Sequence, residues 1–133
     1  MRRLLSFALA AAVAAAVLAA AVPATAQNWL GSYTAYIGPQ DLVNSNGQRL
    51  WEPWQIIRQD RANFHRFNRR DVGDHGDPWC VDADARAALE QAVMNYPLDP
   101  ASRQAIVQGS VWVQVDVYGW GNQIQRVAVA AWR

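Results

Sequence analysis

The sequence predicts an α+β domain in which a small antiparallel sheet, built from an N-terminal strand and a C-terminal hairpin, is covered on one face by about three helices. Three observations carry this expectation. Residues alternate apolar and polar with a period of two near residues 29–37 and again over 111–132, whereas 85–96 carries a helical period. Proline and glycine punctuate the boundaries between these runs. The turn Gly119-Trp120-Gly121 divides the last run into two strands of matched length, as a hairpin requires.

Before the domain comes a leader. Arg2 and Arg3 precede an apolar run of 19 residues, Leu4–Val22, and then Pro23 and Ala24-Thr25-Ala26. A positive start, a hydrophobic stretch and small residues before Gln27 are the pattern of an exported precursor cut after Ala26. The run could span a bilayer. Its alanine-rich composition and the helix-breaking Pro23 nevertheless favour cleavage over a retained anchor. The residues flanking Arg2-Arg3 fit a twin-arginine leader poorly, which leaves the ordinary secretory route. The expected setting is periplasmic or extracellular, with membrane contact only through an uncleaved leader. Residues 27–133 then form one domain of 107 residues, enough to bury a core.

Trp29–Ile37 reads as the first strand, ended by Gly38-Pro39, and Asn44-Ser45-Asn46-Gly47 marks a turn in an irregular stretch that reaches Leu50. Pro53 suits a first helical position, and the helix is expected to run to Phe67. Steps of about 100° put Ile56, Ile57, Phe64 and Phe67 on one stripe, with Trp54, Arg58, Arg61 and His65 beside it. Asp60 falls within the apolar stripe, where an unpaired charge would be too costly. A loop over 68–78 leads to a second helix capped by Asp82 or Asp84 and stopped by Pro97. Asp99-Pro100 opens a short third helix that Gly109 closes. In the hairpin, a three-residue loop pairing Tyr118 with Asn122 would put Val127, Val129 and Ala131 on the face of Val111, Val113, Val115 and Val117. A two-residue loop would put Arg126 there instead, so the three-residue loop is expected. Whether the first strand joins the second or the third is left open by the sequence.

Beyond the leader, ten arginines meet eleven acids, for a net charge of about −1, and lysine is absent throughout. So balanced a chain has no general electrostatic reason to bind nucleic acid. Cys80 has no partner for a disulfide and, between Trp79 and Val81, reads as a small buried hydrophobe.

Four groupings bear on chemistry. Arg58–Arg70 carries a charge of +4 and the following Asp71–Glu90 carries −5, so the blocks can fold onto each other around Asp60. Alternatively, Arg58 and Arg61 grip an anion, with His65 one turn beyond as a weak candidate for a general base. Asp71, Asp74 and Asp77 form a glycine-containing acidic loop that invites calcium, although their spacing is not that of a calcium hand. His65, His75 and Cys80 match no zinc spacing. Finally, Trp112, Tyr118 and Trp132 are expected on the sheet face opposite the valines, beside Gln114, Asp116 and Arg126, as a surface for sugar rings, peptides or a partner protein. Cover by Pro39–Leu50 or by a second subunit is the alternative for that face.

Asp41–Leu50, Arg58–Phe67 and the three spaced aspartates resemble segments of small exported bacterial proteins of unassigned function. That resemblance covers half of the chain beyond the leader and implies a periplasmic or secreted setting, with no activity, cofactor or catalytic residue to carry over. The leading functional expectation is an exported binding module for an envelope ligand or protein partner. A small enzyme acting on an anionic substrate and a subunit that works only by assembly follow it.

Overall fold

A computed structural model describes residues 28–133, so the expected leader, 1–26, lies outside the described residues. The architecture is α+β. Strand β1 (Asn28–Ile37) is followed by a short 3-10 helix (Pro39–Leu42), helices α1 (Pro53–His65), α2 (Ala83–Asn95) and α3 (Pro100–Gln108), and strands β2 (Val111–Trp120) and β3 (Gln123–Trp132). The sheet is antiparallel in the order β1-β2-β3, which settles the open point: β1 joins β2, and β2 is central.

The local signals explain most boundaries. Asp82 caps α2 by accepting from Ala85 N at 2.8 Å, and Asp99 caps α3 by accepting from Ser102 N at 2.9 Å. Pro53 and Pro100 occupy first-turn positions, where a missing N–H costs nothing. The Asn44–Gly47 turn forms as well: the Asn44 side chain accepts from the amides of Asn46 and Gln48, each at 2.9 Å. Helix α1 ends two residues earlier than its periodicity suggests. Asn68 takes a left-handed φ of 52°, and Phe67, expected on the apolar stripe, is 37 % exposed beyond the helix end.

Tyr33, Ala35 and Ile37 of β1 meet Val111, Val113, Val115 and Val117 of β2 on one face, roofed by Ile56, Ile57, Leu89 and Ile106 from the three helices. These side chains are almost wholly removed from water, and Cys80 lies among them as a buried free thiol.

The hairpin corrects one expectation in its mechanism and keeps its outcome. The turn has two residues, Gly121-Asn122, with Trp120 paired to Gln123, rather than a three-residue loop pairing Tyr118 to Asn122. Gly121 has a φ of 56°, the left-handed value that a tight hairpin turn asks of glycine. Left alone, this turn would point Arg126 at the core. The register instead shifts between Tyr118 and Gly119, leaving Gln125 as a bulge, and from there Val117 faces Val127 and Val115 faces Val129. Ile124, between turn and bulge, also reaches the core at 7 % exposure.

The free edge of β1 is closed by the loop that follows α1. His75 N donates to Thr34 O at 2.8 Å, and Tyr36 N donates to Asp74 Oδ1 at 2.8 Å. The same loop is fastened further on where the Trp79 indole lies against Gly31, so closely that a Cβ at Gly31 would come within 2.7 Å of it.

Leu89 sits where α2 meets the sheet and is fully buried. Leu89→Ala is therefore expected to cost about 2–5 kcal/mol of unfolding free energy, read as a lower urea midpoint with unchanged slope.

Candidate functional site

Two of the surfaces singled out by the sequence are separated by the fold. The first, the Arg/Asp cluster, lies inside the protein. The Arg61 side chain is fully buried, with Nε donating to Asp60 Oδ2 at 2.7 Å and Nη1 donating to Asp77 Oδ2 and to His75 O, both at 2.9 Å. Its guanidinium lies 4.2 Å from the Tyr33 ring centroid and 4.7 Å from that of Phe64, a cation between two aromatic faces. Asp77 is as deeply buried: Oδ2 also meets His65 Nε2 at 2.9 Å, and Oδ1 accepts from Trp79 N and Cys80 N. Burial pushes the Asp77 carboxyl up, but the bonds to His65 and Arg61 together with the Arg61 charge outweigh it and hold it below its usual value. At Asp60 burial prevails over Arg61 and raises the carboxyl to about 6.

The structure thus brings Asp60, Arg61, His65 and Asp77 together and removes Arg58, which pairs instead with Glu90 at 3.1 Å. Arg61 therefore cannot grip an external anion beside Arg58. His65, oriented by the buried Asp77, has the geometry of a base held by a carboxylate. It is also nearly enclosed, with 11 % of its side chain exposed, and it lines neither of the grooves that flank α1.

The aspartate loop does not suit calcium. Asp74 accepts from the amides of Tyr36 and Asp71, and Asp77 is consumed by the buried cluster. Among the described residues no three His, Cys, Asp or Glu side chains are grouped as a metal ion would need. His75 contributes its backbone to the same network, and Cys80 is sealed, its thiol pushed up first by burial and then by the neighbouring Asp77 charge.

Sequence reasoning missed Asp41. It is 1 % exposed and accepts from Gly38 N at 2.9 Å and Asn63 Nδ2 at 2.8 Å. Burial, then the Asp60 charge, raise its carboxyl to about 8. No local signal marks it, because Asp41 in a proline-led turn reads as solvated.

The second surface, the outer face of the sheet, is open. Its pairings form four rows across the strands: Tyr36, Trp112 and Trp132; Thr34, Gln114 and Ala130; Ser32, Asp116 and Ala128; Trp29, Tyr118 and Arg126. Tyr36 meets Trp112 edge-on at 5.2 Å between centroids, and the Arg126 guanidinium stacks 3.9 Å over Tyr118. Gln114 donates to Asp116 at 3.2 Å. Pro39–Leu50 packs on α1 rather than over this face. The loop over 68–78 reaches one corner of it, where Gly73 packs against the Trp112 indole. Trp29 and Trp132 remain 61 % and 44 % exposed.

No family model, curated protein or solved structure matches this chain.

Asp77→Asn keeps acceptors for the Trp79 and Cys80 amides but removes a charge from beside Arg61; a loss of about 3 kcal/mol is expected in urea unfolding, and Asp60→Asn should likewise lower Tm markedly. Because Asp41 binds its proton far more tightly folded than unfolded, stability is greatest below about pH 4 for this group and falls as pH rises towards 8. Thermal melts from pH 5 to 8 should show the decline, at up to about 1.4 kcal/mol per pH unit, and Asp41→Asn should flatten it.

Proposed function

We propose that this protein is an exported binding module whose outer sheet face takes an extended carbohydrate chain of the cell envelope or its surroundings. One observation carries the reading: two aromatic rows stand at opposite ends of a sheet face that no helix covers, each with an exposed indole, and a floor of small and polar side chains lies between them. Trp112 and Tyr118 are six residues apart on β2, so the rows are separated by about 20 Å. A linear glycan laid along the strands would stack ring faces on the exposed Trp132 at one end and on the exposed Trp29 at the other, with Trp112 and Tyr118 backing them. Its hydroxyls would meet Gln114, Asp116, Ser32 and Thr34 in the middle.

Charge placement favours a glycan over a protein partner. Protein interfaces concentrate aromatic anchors at the centre and are depleted of charge there. Here Asp116 occupies the middle and the aromatics the ends. The enzyme alternative is less well supported, since the oriented His65 is nearly enclosed and lines neither of the grooves that flank α1.

Titration with neutral oligosaccharides of increasing length, followed by Trp fluorescence, should show affinity rising until the ligand spans both rows and then levelling. Trp132→Ala and Trp29→Ala should each weaken binding at least tenfold with little change in Tm, whereas His65→Ala should leave affinity unchanged. Absence of any response across plant, fungal and bacterial glycans would refute the proposal. So would sedimentation as a dimer that Trp132→Ala converts to monomer, because the face would then be a subunit contact.

A further inference from the structure

A groove of about 350 Å³ runs along the exposed side of α1, between the Asn44–Leu50 segment and α2. Its α1 wall is the stripe Gln55, Arg58, Gln59 and Ala62, continued by Arg66 just past the helix end, and Arg86 and Glu90 come from α2. At its head, around Phe67, it adjoins a second lobe of about 270 Å³ that Arg69 lines. The sheet face has no part in it.

Arg86 is the unusual residue. It is 94 % buried, as its 6 % exposure states, yet no carboxylate lies within ion-pairing distance of it among the described residues. Among the described residues its side chain makes one hydrogen bond, from Nη1 to Cys80 O at 3.2 Å, and its other guanidinium nitrogens are not sealed from solvent. Glu90, one turn further along α2, would be its natural counter-ion but is engaged by Arg58. Arg66 and Arg69, whose guanidinium groups lie 5.0 and 6.0 Å from the Phe67 ring centroid, also have no acidic partner among the described residues. A buried cation left without a counter-charge is costly. An arginine that presents a free edge into a polar groove, with two more at the groove's head, matches the multiple oxygens of a polyvalent oxyanion better than the single fork of a monocarboxylate.

We infer that the α1 groove is a second binding site, independent of the sheet face, for a small molecule carrying a phosphoryl or diphosphoryl group, with Arg86 as the primary anchor and Arg66 and Arg69 as outer contacts. Amides of Gln55 and Gln59 are placed to meet the rest of such a molecule, and the combined lobes fall within the size range of ordinary ligand pockets.

Isothermal titration of the purified protein with sodium pyrophosphate in low-salt buffer tests this, with sodium chloride at matched ionic strength as the reference. One saturable site is expected for pyrophosphate and none for chloride, with affinity falling at least tenfold in Arg86→Met and by several-fold in Arg66→Gln. No saturable pyrophosphate binding, or undiminished affinity in both variants, would overturn the inference. Should Arg86→Met fail to fold, the exposed pair Arg66→Gln and Arg69→Gln decides: combined, they must weaken binding at least tenfold, and wild-type affinity in the double variant overturns the site. Binding to phosphatidylglycerol vesicles without binding to pyrophosphate overturns it too, because the arginines would then serve a membrane surface.

Discussion

Arg61 in its enclosure is the constraint on which the arrangement of the other parts depends. One planar cation joins α1 to the loop that follows it through Asp77 and the His75 carbonyl, and to β1 through the Tyr33 ring. An ion taken so far from water must be surrounded by partners at fixed distances, so the loop cannot wander without breaking several charge-assisted bonds at once. Because that loop is held, its Asp74 and His75 can close the edge of β1 and its Trp79 can settle on Gly31. A polar cluster in the interior thereby shapes the border of a sheet several residues away.

The division of labour between the two faces of that sheet follows from the same economy of burial. All three helices lie on the valine side, where Tyr33, Leu89 and Ile106 complete a dry core. Nothing of comparable apolar area remains among the described residues to cover the other side, so the indoles of Trp29 and Trp132 stay in contact with water. Large exposed aromatics at paired strand positions mark surfaces that meet something else. The regular strand register turns them into a ruled platform rather than scattered side chains.

Much of the fold was legible because it rests on local periodicity and punctuation. The alternating valines of β2, the spacing of Ala85 to Tyr96 and the caps Asp82 and Asp99 each state their element within a few residues. The site was legible only in part. Asp60 stood out as a carboxylate within an apolar stripe, and the adjoining blocks of opposite charge suggested that they meet. Arg61 gave no comparable sign: its helical position borders the core, and what buries it is the return of the Asp77 loop, a contact 16 residues away. Asp41 and Arg86 were overlooked for the same reason, since burial of an isolated charge is decided by tertiary neighbours that leave no trace in nearby residues. Arg58 pairs with Glu90 of another helix, one contact between the two charge blocks, though which acid it would meet was not legible from spacing alone.

The bulge at Gln125 separates the length of the hairpin turn from the orientation of β3. A turn of even length and a bulge of one residue each invert the strand, and together they restore it, so the inward set Val127, Val129 and Ala131 is fixed by their combination rather than by either alone. Such a compensated frame lets the tip of the hairpin change by one residue whenever the bulge is lost or gained in step, while a lone deletion at either place would turn β3 inside out, delivering Arg126 to the hydrocarbon interior and the valines to water.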